Sequence, residues 1–213
     1  MADTDYGLYL VTDRVLAGGR ELVDIVGEAV AGGVSCVQLR EKHSDTRVFI
    51  DQARQLMALL KPAGIPLIIN DRVDVALAVG AAGVHLGQKD MAIADARRLA
   101  GPRMIIGISA ESLEDALRAE SEGADYIGVS PVFATATKAD AAPPLGLAGL
   151  RRIRAAVALP LVGIGGISRD NAGAVIAAGA DGVAVVSAVV AASCPRSAAR
   201  ELRELVDSER GGK

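Results

Sequence analysis

The sequence predicts an α/β fold, a (β/α)8 TIM barrel forming a single domain over residues 1–213. Three observations predict it. A glycine-centred phrase occurs four times. A proline-led strand start falls between its copies. The 213 residues allow about 26 for each of eight strand–helix units, near the low end for such barrels. The phrase Ala31-Gly32-Gly33-Val34-Ser35-Cys36-Val37 returns as Val79-Gly80-Ala81-Ala82-Gly83-Val84. It returns again as Glu122-Gly123-Ala124-Asp125-Tyr126-Ile127 and as Ala178-Gly179-Ala180-Asp181-Gly182-Val183. Each copy closes a helical stretch at glycine and opens a β-branched run, the signature of a helix stop followed by a strand.

Residues 8–12 form the first strand, and Leu22, Ile25, Val26 and Ala29 make the apolar stripe of the first helix. The second strand follows Val34, and its helix carries Phe49, Ala53, Leu56 and Leu60 at helical spacing. Pro66 leads the third strand over residues 67–70, with a helix over 73–79. The fourth strand occupies 83–87 and its helix 92–99. Pro102 leads the fifth strand over 104–109, and Ser112 with Asp115 resembles a capping box for the next helix. The sixth strand covers 126–130, the seventh follows Pro160 over 161–164, and the eighth ends at Val185-Val186-Ser187. An open doubly wound sheet is the rival, but it would more often carry a glycine-rich loop after the first strand. Leu10-Val11-Thr12-Asp13 carries none.

Composition excludes several functions. Apolar residues make up 51% of the chain, and a net charge of −3 leaves no electrostatic footprint for nucleic acid or a membrane surface. Cys36 and Cys194 lack metal or disulfide spacing. Met1-Ala2-Asp3-Thr4-Asp5 is acidic rather than leader-like, so the expectation is a cytoplasmic protein. A homo-oligomer stays open, since no particular helix face stands out.

Chemistry in such barrels collects at the carboxyl ends of the strands. Gln38, Arg40 and Lys42 share one parity on the second strand, aiming an amide and two cations at the barrel mouth. Asp71 and Asp90 follow the third and fourth strands, whose axes lie about 4.8 Å apart. Two such carboxylates suit one Mg2+ that keeps waters and takes phosphate oxygens. The alternative is that each caps the following helix; the neighbouring cations favour metal and diphosphate. The loop 131–144 is long for so compact a chain, and its hydroxyls with Lys138 suit phosphate. A merely mobile insertion is the other reading. Gly165-Gly166 after the seventh strand and Ser187 after the eighth stand where barrels often hold a phosphate. His85 has interior parity but no partner evident in sequence, so it reads as a core histidine; His43 reads as solvated. No Ser–His–acid order or histidine cluster supports acyl transfer or a metallohydrolase.

Together these motifs resemble the thiamine phosphate synthase family over about 180 residues. They are Leu8-Tyr9-Leu10-Val11-Thr12-Asp13, Gln38-Leu39-Arg40-Glu41-Lys42, Asn70-Asp71-Arg72, Gly87-Gln88-Lys89-Asp90, Thr135-Ala136-Thr137-Lys138, Pro144-Leu145-Gly146-Leu147, Gly165-Gly166-Ile167 and Ala184-Val185-Val186-Ser187. The resemblance implies a transferase that joins hydroxymethylpyrimidine diphosphate to hydroxyethylthiazole phosphate, releasing diphosphate. It implies that Gln38, Leu39, Arg40, Glu41, Lys42, Asn70, Ser109 and Lys138 hold the pyrimidine diphosphate. Arg40, Lys42, Ser109 and Lys138 are the expected catalytic groups, and Asp71 and Asp90 the Mg2+ ligands. Thr135, Ala136, Thr137, Gly166, Val186 and Ser187 are expected on the thiazole phosphate. Ser130, Ala134 and Ala136 depart from commoner family residues, which touches the shape of the loop. A thiazole tautomerase on the same barrel and a non-catalytic phosphate-binding sensor are the alternatives. Neither needs paired carboxylates beside three cations.

Counting parity upward puts Gly107 and Ser109, Gly128 and Ser130, Gly163 and Gly165, and Gly182 and Ala184 inside the barrel. The expectation is an upper barrel left open for two ring substrates, with few aromatics because the interior must not be filled.

Overall fold

The computed structural model describes residues 4–135, 137 and 142–211. Eight strands alternate with helices in chain order. The first half comprises β1 (Leu8–Val11), α1 (Leu22–Ala31), β2 (Cys36–Leu39), α2 (Thr46–Leu60), β3 (Leu67–Asn70), α3 (Val73–Val79), β4 (Gly83–Leu86) and α4 (Ile93–Ala100). The second comprises β5 (Ile105–Ala110), α5 (Leu113–Ser121), β6 (Tyr126–Val129), α6 (Gly146–Ala156), β7 (Leu161–Ile164), α7 (Ala172–Ala177), β8 (Gly182–Val185), α8 (Ser187–Val190) and α9 (Pro195–Gly211). The strands pair in parallel and close, β8 onto β1. The predicted barrel is the observed one.

The repeated phrase works as read. Gly33, Gly80, Gly123 and Gly179 all take positive φ beyond α1, α3, α5 and α7, the left-handed turn that ends a helix and that glycine adopts without a Cβ clash. In the last two copies the aspartate adds a staple. Asp125 accepts from the Ile106 backbone N–H at 2.7 Å and pairs with Arg97 of α4. Asp181 repeats this two units later, with the Leu161 N–H at 2.8 Å and Arg154 of α6. Half of the capping box forms as read: Ser112 Oγ accepts from the Asp115 N–H at 3.0 Å, while Asp115 Oδ2 reaches one residue further back and accepts from the Glu111 N–H.

Two cores result. The larger lies between strands and helices, where Phe49, Ala53, Leu56 and Leu60 of α2 are buried; each large side chain there contributes roughly 1.5–3 kcal/mol. The smaller fills the barrel interior with Tyr6, Tyr9, Val11, Cys36, Ile68, Tyr126, Val162 and Ala184. The expectation of an interior free of aromatics is therefore corrected. All three tyrosines of the chain lie there, and glycines make room for them. A Cβ on Gly107 would stand 2.1 Å from the Tyr126 ring, and one on Gly182 would stand 1.8 Å from the Tyr6 carbonyl oxygen. Gly163 is corrected too: a Cβ there would meet Val175 of α7, so it faces the helices. Val162 is the interior residue of β7 instead, and Gly165 shares Gly163's parity. No helix among the described residues is long and apolar enough to cross a membrane.

Candidate active site

The polar residues converge where the sequence places them, at the carboxyl ends of the strands. The register sets them side by side: Val11 pairs with Gln38, Gln38 with Ile68, and Asn70 with His85. Gln38 is buried inside the barrel at 5% exposure. Leu39, one residue on, is fully buried in the outer core. Its side chain cannot touch a ligand in the mouth, so only its backbone is available there.

Arg40 follows β2. Its N–H donates to Thr12 Oγ1 at 3.1 Å, and its guanidinium donates to Asp13 Oδ2 at 3.2 Å. Asp13 is itself held by the Val15 and Leu16 N–H groups, both at 3.0 Å. Thr12 and Asp13 thus aim Arg40, a role that sequence reading did not assign them. Glu41 is engaged by Arg14 and Ser44, so its carboxylate braces the loop rather than facing a diphosphate. Lys42 Nζ donates to Asp71 Oδ2 at 2.5 Å.

Asp71 and Asp90 meet across the ends of β3 and β4. Asp71 sits at φ 61°, the one positive-φ non-glycine among the described residues. Its N–H donates to the His85 carbonyl at 2.8 Å. Burial and contact with the Asp90 carboxyl raise its pKa against the opposing pull of Lys42. The capping alternative is overturned. α3 begins with Arg72 at its N-cap and α4 with Ala92, and neither helix has a side-chain cap. Asp90 Oδ2 instead accepts from the Gly87 N–H at 2.7 Å, which turns the chain back toward Asp71. Two like charges forced together, one of them on strained backbone, are what a divalent cation would relieve. Among the described residues no third metal-ligating side chain joins them. An ion held there would complete its shell with water and ligand oxygens, as Mg2+ commonly does.

Asn70 ends β3 at 7% exposure, and its Nδ2 lacks a partner among the described residues. A buried amide donor without an acceptor costs about 1–3 kcal/mol, which a bound acceptor would recover. On the far side of the mouth, the segment after β6 packs against the turn after β7. The Val132 and Phe133 N–H groups donate to the Ile164 and Gly165 carbonyls at 2.8 and 3.0 Å. Gly166, at φ 63°, is exposed, and a Cβ there would stand 2.5 Å from the Ala134 carbonyl oxygen. Thr137 donates its N–H to Thr135 Oγ1 at 3.2 Å. Ala136 and Lys138 lie outside the described residues. Val186 is half-buried and Ser187 exposed at the start of α8.

His85 is not merely a packed core residue. Its Nδ1 lies 2.8 Å from Tyr126 Oη and its Nε2 2.9 Å from Ser109 Oγ. Its interior parity was readable, but its partners come from other strands. His43 is exposed, as expected.

A closed parallel barrel with acidic, basic and amide groups gathered at its carboxyl-end mouth defines a (β/α)8-barrel enzyme. The comparisons with known proteins narrow this. A family model described as thiamine monophosphate synthase matches residues 8–189. A thiamine-phosphate synthase of Albidiferax ferrireducens is 60% identical, covering 94% of this chain and 92% of the relative. One of Chloroflexus aurantiacus is 56% identical, covering 95% and 93%. The solved thiamine phosphate pyrophosphorylase of Pyrococcus furiosus superposes with a TM-score of 0.90 at 45% identity, over 97% of this chain and 98% of that one. The chain belongs to the thiamine monophosphate synthase family, a family of transferases, as its motifs implied.

Proposed function

We propose that the chain joins 4-amino-2-methyl-5-(diphosphooxymethyl)pyrimidine to hydroxyethylthiazole phosphate in an Mg2+-dependent reaction. The methylene C–O bond to diphosphate breaks, and a C–N bond to the thiazole nitrogen forms. Thiamine phosphate and diphosphate leave. The observation that carries this reading is the contact between Asp71 and Asp90 beside Lys42. A tautomerase or a simple phosphate sensor has no diphosphate to neutralise and no use for that arrangement.

A Mg2+ ion held by Asp71 and Asp90 would supply positive charge to the departing diphosphate. The chain's own residues do the rest. Lys42 stands on Asp71 at the same end of the barrel, ready to share its proton with a phosphate oxygen. Arg40, braced by Asp13, adds a second fixed cation. Preorganised charge of this kind acts most strongly on the bond-breaking transition state, where the leaving group becomes more negative. Asn70 offers the amide N–H that has no partner among the described residues, and Ser109 its hydroxyl, to the pyrimidine diphosphate. By family resemblance Gly166, Ser187, Thr135 and Thr137 hold the thiazole phosphate, while Lys138 belongs with Lys42 and Arg40 on the pyrimidine diphosphate. Holding the thiazole by its phosphate brings its nitrogen, the nucleophile, to the methylene carbon. The electron-rich pyrimidine ring stabilises positive charge on the methylene carbon as diphosphate leaves, so the transfer is dissociative. With the thiazole nitrogen as nucleophile, it needs no covalent enzyme intermediate.

The test supplies both substrates with Mg2+ and follows thiamine phosphate and diphosphate together, before and after a chelator. Equimolar products that stop with the chelator are expected. Thiazole isomerisation alone would indicate the tautomerase, and binding without turnover the sensor.

A further inference from the structure

That reaction leaves unused a row of polar side chains inside the barrel. Gln38 Nε2 donates to Tyr9 Oη at 3.0 Å. The Tyr9 and Tyr126 hydroxyls lie 2.9 Å apart. Tyr126 Oη reaches His85 Nδ1 at 2.8 Å, and His85 Nε2 reaches Ser109 Oγ at 2.9 Å. Five strands contribute one residue each: β2, β1, β6, β4 and β5. The row begins on Gln38, which the family resemblance puts against the pyrimidine diphosphate, and ends on Ser109, which the proposed function gives to the same ligand. The three between them are not assigned to either substrate.

The register shows why the row can form. His85 pairs with Gly107, and Gly107 pairs with Tyr126, so the three stand on one rung of the barrel. Gly107 has no side chain, and its space is taken by the Tyr126 ring, which meets the imidazole across it. Gly128 does the same service one strand on, since a Cβ there would stand 3.0 Å from His85 Cε1.

One direction of donation gives every member of the row a partner. An amide nitrogen can only donate, so Tyr9 Oη accepts from Gln38. Burial holds both phenols well above their ordinary range, so each keeps a proton to pass onward. In that direction Tyr9 donates to Tyr126, and Tyr126 to His85 Nδ1. A neutral imidazole that accepts at one nitrogen carries its proton on the other. His85 Nε2–H therefore donates to Ser109 Oγ and leaves the serine's own proton free.

We propose that Tyr9, Tyr126 and His85 are positioning residues, which hold His85 in its Nε2–H form and so present Ser109 to the barrel mouth as a hydrogen-bond donor. The group it meets is a lone-pair acceptor of the pyrimidine diphosphate, a ring nitrogen or a phosphate oxygen. This deepens the proposed function and rests on it for the identity of the ligand.

The first test needs no turnover. Nitrogen-15 spectra of the ligand-free protein are expected to show His85 neutral with Nε2 protonated, and Tyr126→Phe to release it to mixed tautomers. A proton on Nδ1 in the wild type would overturn the proposal. It would do so whether or not the chain makes thiamine phosphate. The second test is a double-mutant cycle. Tyr126→Phe is expected to lower kcat/KM on the order of tenfold, but by less than about twofold when Ser109 is already alanine. Equal losses in both backgrounds would reduce Tyr126 to packing and overturn the proposal. If Tyr126→Phe does not fold, Tyr9→Phe breaks the same row one step earlier. Separate binding of the aminopyrimidine alcohol and of inorganic diphosphate identifies the acceptor: the one weakened by Ser109→Ala takes the proton. Weakening of neither would count against the proposal. A wild type that makes no thiamine phosphate refutes the function and leaves the tautomer measurement standing.

Discussion

Asp71→Asn separates fold from chemistry. Asparagine tolerates the left-handed region that Asp71 occupies at φ 61°. It also keeps an oxygen that can accept from Lys42. The exchange removes one of two carboxylates pressed together. Burial, joined by Asp90, raises the Asp71 pKa above the ordinary 3.8 against the pull of Lys42. A folded-state pKa above the unfolded value means that ionising the group costs stability. That cost is absent below 3.8 and fully present once pH exceeds the raised folded value, so at neutral pH its removal stabilises. Against it stands the loss of the Lys42 ion pair, whose side chains are 42% and 22% exposed; such a pair is worth about 0–1 kcal/mol. The metal-free variant should therefore match or slightly exceed the wild type, within about 1 kcal/mol or 2–4 °C in Tm. Turnover should fall on the order of 100-fold or more. Thermal melts beside the coupled diphosphate assay check both. A variant destabilised by more than about 2 kcal/mol, with activity falling in step, would make Asp71 a structural residue and refute the reasoning.

Three further outcomes follow from the same geometry. Gly87→Ala places a Cβ 2.8 Å from Asp90 Oδ2; it should raise the Mg2+ concentration needed for half-maximal rate about tenfold, read by metal titration with little change in Tm. Gly166→Ala combines φ 63° with a Cβ 2.5 Å from the Ala134 carbonyl; it should raise KM for the thiazole phosphate while KM for the pyrimidine diphosphate stays level. Partial burial raises the Asp5 pKa, but Arg203, Arg210 and the Gly7 N–H outweigh it and hold the group at about 2 instead of 3.8. The stability this tie of the N-terminal segment to α9 contributes is whole above 3.8 and is lost as pH falls through about 2. Asp5→Asn should flatten acid denaturation within that window.

The barrel was legible because its punctuation is local. Each glycine stop and proline start acts within a few residues of itself, and the strand-end motifs lie in single runs. Asp71 and Asp90 could be placed near each other from strand order alone. Whether they capped helices could not be read, because that depends on where α3 and α4 begin relative to each carboxyl. β7 reads Leu161-Val162-Gly163-Ile164, with no polar residue to mark a face, so the parity count placed Gly163 inside when it faces α7. The row from Gln38 to Ser109 was hidden for another reason. Its members lie on five strands, and only the closed register brings Tyr126 over Gly107 to His85. The tyrosines share the interior parity of Gln38, and hydroxyls at such positions were the available signal. Glycine surplus read as open space was half right. Some of that space holds the tyrosines themselves.

The central claim is that Asp71 and Asp90 together hold the divalent cation that diphosphate departure needs. Mn2+ binding, followed by its paramagnetic signal with inorganic diphosphate present, measures this directly in the wild type, Asp71→Asn and Asp90→Asn. The account predicts one ion per chain in the wild type, lost from both variants while their folds persist. An ion bound as tightly by both variants as by the wild type would contradict it.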